Sequence, residues 1–376
     1  MEQINSLSEH VSDNRIIADA QKSSMDGSKI IFNGSGNILV VEDGVKLSSS
    51  TVLFNGSNAV CYLGANKNPY YVNLTVNNNS CIFFGRGNYI NGKMTLITSE
   101  QQNIIIGDDG LFSFGIFIRT ADPHLLYDCG SGKRINPSKS VFIGDHVWIG
   151  QNVLILKGTA VGSGSVIGGA ALLSGKSVPS NTVCGGNPAK IIRRGVFFSK
   201  ECVHTWTDAQ TEKYNTMKTD RYTYRRDSDT VSPQEIDSAL KACRNSDERL
   251  AAVKKYLVDK SGKNRFLSRI QRTASRKSAD FSEDKNTKPQ KLRLFYSGEN
   301  NVYRESQRIF QKARNRGPSD GDRRVERDRC PRGKSSRLRR GQDSKDYIIF
   351  ARRRADTHSR GGRHEDRQRK IQGPLR

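Results

Sequence analysis

Residues 143–178 form six consecutive hexapeptides, which read Ile143-Gly-Asp-His-Val-Trp, Ile149-Gly-Gln-Asn-Val-Leu, Ile155-Leu-Lys-Gly-Thr-Ala, Val161-Gly-Ser-Gly-Ser-Val, Ile167-Gly-Gly-Ala-Ala-Leu and Leu173-Ser-Gly-Lys-Ser-Val. An aliphatic residue opens each hexapeptide, and the fifth position is always small or β-branched. Neither the α-helical period of 3.6 nor the strand period of 2 gives this pattern. A triangular β-coil does give it, because short strands form the three faces and the aliphatic residues stack inward, coil upon coil.

The corners of such a coil need tight turns. Gly occupies the second position of four of the six hexapeptides, and it tolerates backbone dihedrals that other residues avoid. We therefore expect these glycines to form the corners of a parallel β-helix.

The first half of the chain shows a looser repeat with a longer period. Apolar runs begin at Ile38, Val60, Ile82 and Ile104, each 22 residues after the last, and polar turns such as Asn33-Gly-Ser recur in step. This spacing predicts irregular coils slightly longer than three hexapeptides. The alternative is a β-sandwich with hairpin turns, which the equal spacing and the continuation into regular hexapeptides disfavour.

The repeat defines the expected domains. Residues 1–30 are expected to be an N-terminal leader, and residues 31–195 the β-helix, with a loop insertion at 119–140. Residues 196–260 are expected to form a cap and a helical segment, and residues 261–376 a basic tail. The segment from Phe197 to Tyr214 is a candidate cap for the last coil, with Trp206 among its aromatic residues. Ser232-Pro-Gln-Glu235 predicts a helix start, with the helix continuing to about Leu257.

The net charge of +24 is unevenly distributed. Residues 1–195 contain 16 Lys and Arg against 13 Asp and Glu, so nearly all of the excess lies in the second part of the chain. The composition after about residue 260 predicts a disordered tail. The seven cysteines show no CxxC spacing, and we see neither a signal peptide nor a membrane-length apolar run. These features predict a cytoplasmic protein without a disulfide scaffold.

The stretch from Val141 to Arg194 resembles the hexapeptide acyltransferases of the maltose, galactoside and nodulation acetyltransferase group. The resemblance depends on Ile-Gly-Asp-His-Val-Trp-Ile-Gly (143–150), the hexapeptides after it and the closing Gly186-Asn-Pro-Ala-Lys-Ile-Ile-Arg193. An Asp-Pro-His loop ending at His124 and the Lys-Arg-Ile-Asn that follows are most similar to bacterial capsule O-acetyltransferases, including those that act on polysialic acid. The resemblance covers about residues 30–195 and implies a left-handed β-helix.

His124 is the candidate general base that the resemblance implies. A sugar hydroxyl is a poor nucleophile, and a neutral imidazole can take its proton as the oxygen attacks a thioester carbonyl. Asp122 or Asp128 is a candidate to orient the ring. The alternative is a solvated loop histidine. His146 is interpreted as a turn residue rather than a second base.

Trp148 occupies the sixth position of its hexapeptide and is predicted to point outward. In the family an aromatic residue here lines the acceptor and thioester site, and its indole N–H can donate to a developing oxyanion. Packing between subunits is the alternative role.

The resemblance also implies acetyl-CoA as co-substrate, bound in a groove near the C-terminal coils. Gln151, Gly169 and Ser174 fall at the pantetheine contacts, and Lys176, Lys190 and Arg193 fall where the phosphates lie. Arg119, Lys133 and Arg134 on the loop are candidates to bind a carboxylate of the acceptor. Each basic residue has a solvated surface charge as its alternative.

The expected function is acetyl transfer to a hydroxyl of an acidic capsular polysaccharide, with polysialic acid as the expected acceptor. The family implies a homotrimer whose sites lie between subunits. A zinc-dependent γ-type carbonic anhydrase is disfavoured, because only His124 and His146 lie in the predicted β-helix and that enzyme needs three histidines. An N-acyltransferase on a nucleotide amino sugar stays open. We expect no metal and no specific nucleic acid, with the tail a candidate contact to membrane-associated capsule machinery.

Overall fold

The structure is a computed structural model of the chain, and it describes residues 1–225 and 230–259. The predicted disorder of residues 261–376 lies outside the described residues. No helix in the described ranges is long and apolar enough to cross a membrane.

The described chain contains twenty-four short strands. In chain order they are β1 (Glu2–Ile4), β2 (Arg15–Ile17), β3 (Ser24–Asp26), β4 (Lys29–Phe32), β5 (Ile38–Val41), β6 (Lys46–Ser48), β7 (Thr51–Phe54), β8 (Val60–Leu63), β9 (Val72–Val76), β10 (Cys81–Phe84), β11 (Tyr89–Ile90), β12 (Met94–Ile97), β13 (Ile104–Ile106), β14 (Leu111–Phe112), β15 (Phe117–Arg119), β16 (Val141–Ile143), β17 (Trp148–Ile149), β18 (Leu154–Ile155), β19 (Ala160–Val161), β20 (Val166–Ile167), β21 (Leu172–Leu173), β22 (Ser177–Val178), β23 (Thr182–Gly185) and β24 (Lys190–Arg194).

The strands form three faces of a left-handed parallel β-helix of about seven turns, which confirms the predicted fold. Face I is the sheet β2-β5-β8-β10-β13-β16-β19-β22, and face III is the sheet β1-β4-β7-β9-β12-β15-β18-β21. Face II is the sheet β11-β14-β17-β20-β23-β24, with the pair β3–β6 in the same place in the earlier coils. The β1–β4 and β23–β24 pairs, one at each end, are antiparallel, and the other pairs are parallel.

The core is built from columns of side chains that stack from coil to coil. On face I, Leu39, Cys61, Ile82, Ile104 and Val141 are paired in successive strands and fully buried. Each coil buries its apolar side chains only against its neighbours, so stability depends on coil stacking.

The 22-residue period holds from Ile38 to Val60 and from Ile82 to Ile104, but the middle step is one residue shorter. Val60 pairs with Cys81, and Ile82 pairs with Cys61. A shift of one residue exchanges inward and outward positions. The run from Cys81 to Phe84 is apolar on both sides, so it tolerates that shift.

The corners differ from the prediction. Positive φ occurs at the fourth position of the first five hexapeptides, as in His146 (φ 50°) and Gly164 (φ 73°), and at the third position of the last, Gly175 (φ 58°). It does not occur at the second-position glycines. Gly144 is needed for another reason, because a Cβ there would lie 2.5 Å from the Ser163 amide nitrogen of the next coil. The second-position glycines therefore permit close approach of coils, and the residues two positions later make the turn.

Ordered β-structure starts before the expected boundary at residue 31. Strand β2 pairs in parallel with β5, and β1 adds an antiparallel strand to face III. Residues 1–30 thus contribute short strands to the N-terminal end of the stack.

The described residues after β24 contain a 3₁₀ turn (Val203–Thr205) and three helices, α1 (Asp208–Lys213), α2 (Pro233–Ala242) and α3 (Ser246–Val253), followed by a turn at Lys254–Val258. The predicted start of α2 is confirmed, since Ser232 caps it by accepting from the Glu235 amide. The prediction of a single helix to Leu257 is wrong. Cys243 is extended, and Asn245 starts α3 as a new N-cap.

The helices α2 and α3 cover the outer side of face I. Outward side chains of the face pack against apolar residues of the helices in a second core, which includes Val60, Tyr62, Phe83, Ile236, Leu240, Leu250 and Val253. This explains why the face I strands are apolar on both sides.

Candidate active site

The loop between β15 and β16 lies at the corner between faces III and I and carries His124. Residues 126–135 of this loop form a hairpin, in which Tyr127 pairs with Arg134 in an antiparallel bridge. Four large apolar side chains of the loop are each more than half exposed, namely Leu125, Leu126, Tyr127 and Ile135.

The His124 imidazole is exposed and has no hydrogen-bond partner among the described residues. Neither candidate carboxylate touches its ring in this chain. Asp122 accepts from Lys157 Nζ at 2.5 Å, and this ammonium holds the pKa of Asp122 below its usual value. Asp128 accepts from the amide and hydroxyl of Ser131, each at 2.7 Å, within the hairpin turn.

The hairpin is tied to the preceding coil through Glu100. Arg134 Nη1 and Nη2 donate to the Glu100 carboxylate at 2.7 and 2.9 Å, and the Ser138 hydroxyl donates to it at 2.5 Å. The Arg134 hydrogen bonds, with those of Ser138, lower the pKa of Glu100 to about 2. Arg134 therefore has a structural partner already, which weakens its prediction as an acceptor ligand.

The other two candidate acceptor ligands are placed differently. Arg119 lies at the end of β15 beside Phe117, with its Nε buried and without a hydrogen-bond partner in the described chain. Lys133 is exposed at the hairpin turn.

Trp148 lies on face II and is 41% exposed, so it points outward as predicted. Its ring is 5.8 Å from Phe198, which packs on the corner between faces I and II. One chain thus places His124 and Trp148 on different sides of the β-helix.

His146 lies at that same corner and confirms its interpretation as a turn residue. The ring is fully buried between Phe198 and Tyr222, with centroid distances of 4.1 and 4.4 Å. Its Nδ1 lies 2.8 Å from the Asp109 carboxylate and its Nε2 lies 3.0 Å from the Phe198 carbonyl oxygen. Both partners are hydrogen-bond acceptors, and each faces one of the two ring nitrogens.

The segment from Phe197 to Tyr214, which was expected to cap the last coil, does not cover its end. Phe198 covers the side of the β-helix, whereas Trp206 stacks on Tyr214 at 4.8 Å beside the exposed helix α1. The end of the last coil is closed by β24 and by Ala189, whose amide donates to Leu172.

The six candidate coenzyme residues lie toward the C-terminal end of the stack. Gln151 and Gly169 are exposed neighbours on successive corners between faces II and III, and a Cβ on Gly169 would lie 3.4 Å from the Gln151 carbonyl oxygen. Ser174 and Lys176 lie after β21, at the corner that also carries the His124 loop. Lys190 and Arg193 are exposed on β24.

Two residues of the site region escaped prediction, Asn136 and Lys157. Asn136 lies within the quoted Lys-Arg-Ile-Asn and is 5% exposed. Lys157 stands in its hexapeptide where the others have Asp, Gln, Ser or Gly. A lysine at this position could have drawn attention to Lys157 in the sequence. The partners of Lys157 are seen only in the folded chain.

The chain is similar in sequence to two proteins of known activity. No protein-family model matches the chain. Over 189 residues the chain is 35% identical to the polysialic acid O-acetyltransferase of Escherichia coli O1:K1 / APEC, which covers 45% of this chain and 61% of that protein. It is 29% identical over 135 residues to the polysialic acid O-acetyltransferase of Neisseria meningitidis, covering 36% of this chain and 62% of that protein. The chain thus spans about three fifths of the length of these relatives.

Among solved structures, the crystal structure of the polySia-specific acetyltransferase NeuO is 30% identical, with a TM-score of 0.45. The match covers 54% of this chain and 95% of that one.

The hexapeptides, the β-helix and the closing motif make this chain similar to the hexapeptide-repeat acyltransferases. Among these, it is similar to the bacterial polysialic acid O-acetyltransferases.

Proposed function

We propose that this chain is an acetyl-CoA-dependent O-acetyltransferase that acts on a hydroxyl group of polysialic acid, with His124 as the general base. The observation that carries the proposal is an exposed imidazole with free ring nitrogens among the described residues, on a braced loop, in a chain similar to polysialic acid O-acetyltransferases. An imidazole held this way is accessible to the acceptor hydroxyl, as a general base must be.

The proposed reaction is a direct transfer. The sugar oxygen attacks the thioester carbonyl carbon while His124 takes the hydroxyl proton. The C–S bond then breaks, and the imidazolium returns the proton to the thiolate of coenzyme A. The thioester is already activated, so no covalent enzyme intermediate is needed.

The C-terminal coils fit the proposed co-substrate. Successive glycines at 168–169 and 185–186 leave backbone exposed beside Gln151, where a thin pantetheine arm can lie. Lys190 and Arg193 form no ion pair with the described residues, so their charges are available for phosphates. Ser174 and Lys176 would meet the arm at the corner that carries the His124 loop.

For the acceptor, Lys133 is the loop cation that we propose to meet a sialic acid carboxylate, and Arg119 at the end of β15 is the second candidate. Arg134 holds the loop through Glu100 instead.

The acceptor is tested by measuring the release of coenzyme A from acetyl-CoA with a thiol reagent. Polysialic acid and neutral capsular polysaccharides are compared as acceptors. Release with polysialic acid and its loss in H124A support the proposal, and full activity in H124A refutes the general base.

We further propose a homotrimer in which His124 of one copy meets Trp148 of the next, since a single chain separates them. Mixed trimers test this. H124A and W148A are each expected to be inactive, and refolding them together at equal amounts should restore about a quarter of the sites, because one site in four then receives both intact residues. No recovery in verified mixed trimers would contradict the shared site.

A further inference from the structure

The position of His124 depends on its backbone, because its ring forms no hydrogen bond with the described residues. Catalysis by a general base requires hydrogen-bond reach to the proton that it removes. Some other group must therefore fix the backbone on both sides of residue 124.

Asn136 holds that backbone. Its Nδ2 donates to the His124 carbonyl oxygen at 2.8 Å and to the Asp122 carboxylate at 3.1 Å. Its Oδ1 accepts from the Leu126 amide at 2.8 Å and from Arg134 Nε at 3.3 Å. An asparagine amide has two donors and two acceptor lone pairs, and all of them are used here.

Lys157 joins this group to the rigid stack. It follows β18 in the coil after the loop, and its Nζ donates to Asp122 at 2.5 Å and to the Asn136 carbonyl oxygen at 3.0 Å. The Lys157 side chain is 17% exposed, so water competes little for its ammonium. We call Asp122, Asn136 and Lys157 the loop clamp.

We infer that the loop clamp positions His124 for catalysis, with Asn136 and Lys157 as positioning residues that do not touch the substrate. This inference rests on the proposed function. Asn136 bonds the residues on either side of Leu125, so removing its amide frees the segment that carries the imidazole. A displacement of about 1 Å at a reacting group costs on the order of 100-fold in rate.

The test measures kcat, KM for acetyl-CoA and hydrogen–deuterium exchange of residues 122–128 in the full chain. N136A should lower kcat by about 10- to 100-fold with KM for acetyl-CoA unchanged, and should speed exchange at the Leu126 amide. K157M should act in the same direction, and K157R should recover much of the lost kcat. H124A is measured alongside.

The matched control is Asn37→Ala. Asn37 is fully buried, and its amide makes three hydrogen bonds at a corner near the N-terminal end, to Asn14, Gly56 and Ala59. N37A should lower thermal stability without changing kcat. If N136A and N37A change kcat equally, or if N136A and K157M leave kcat intact while H124A abolishes activity, the positioning role is refuted.

Full activity in H124A overturns the proposed function itself rather than the clamp alone. If N136A does not fold, N136D and the Lys157 pair decide the question. N136D keeps the two acceptors and loses the donors to His124 and Asp122, so normal kcat in N136D and K157M would overturn the inference.

Discussion

Replacing His146 should detach the aromatic segment from the corner of the β-helix. The ring is fully buried, hydrogen-bonds Asp109 and the Phe198 carbonyl, and stacks on two aromatic rings. A hydrogen bond to a charged group contributes about 1.5–3 kcal/mol, one to a neutral group about 0.5–1.5 kcal/mol. Each aromatic contact adds about 0.5–1.5 kcal/mol.

The lower ends of these ranges apply, because the Asp109 side chain is half exposed and solvent screens its charge. Together they give a loss of about 3 kcal/mol. For a domain of this size the loss corresponds to a decrease of about 6–12 °C in Tm.

The substitution to make is H146N. His146 has a φ of 50°, and Asn tolerates that region better than most residues, so the turn is kept while the ring is lost. H146A adds backbone strain, and the difference between the two variants measures that strain.

The assay is thermal unfolding followed by tryptophan fluorescence in a W206F background, which leaves Trp148 as the single tryptophan. Trp148 lies 5.8 Å from Phe198, so its emission should change in the native state of H146N. An unchanged emission spectrum, together with a Tm within about 1 °C of the parent, would refute the reasoning.

Three further predictions concern acid, the corners and the helical cover. The pKa of Glu100 is lowered to about 2 by Arg134, so its ion pair stabilises the fold above the ordinary carboxyl range and is lost as pH falls toward 2. Tm measured against pH should therefore fall less steeply below about pH 4.5 in E100Q than in the parent, and equal slopes would contradict this. G144A should destabilise by about 3 kcal/mol or more in urea unfolding, because its Cβ meets backbone 2.5 Å away, whereas G175A, which meets nothing within 4 Å, should cost about 1 kcal/mol. Arg249 is almost fully buried and donates to three backbone carbonyls, so R249A should make α3 sensitive to limited proteolysis, and unchanged cleavage would contradict that role.

The sequence predicts the β-helix well because each hexapeptide corresponds to one side of a coil. The first residue of each hexapeptide after Ile143 is predicted to point into the core. The outward position of Trp148 follows from the same register. The 22-residue spacing failed by one residue between Val60 and Cys81, because these strands are apolar on both sides and periodicity cannot tell the sides apart.

The site was harder to predict than the scaffold. His124 could be singled out from its motif, but the loop clamp links Asn136 to Lys157 across 21 residues of chain. Such a contact depends on how one coil stacks on the next, and no local pattern encodes it. For the same reason, the sequence suggested Arg134 as an acceptor ligand, whereas the structure pairs it with Glu100, which lies 34 residues earlier.

Helices α2 and α3 limit which faces of the β-helix can contact a second copy of the chain. Helices α2 and α3 bury the outer side of face I, including Tyr62 and Phe83, so the covered part of that face is closed to a second copy. Faces II and III keep outward side chains that are partly exposed, and Trp148 lies on the first of them. The exposed apolar hairpin at residues 126–135 extends from the edge of face III. In the proposed trimer, the exposed Trp148 on face II of one copy would meet the exposed hairpin beside His124 of the next copy. The closure of face I thus favours the arrangement that the mixed-trimer experiment tests.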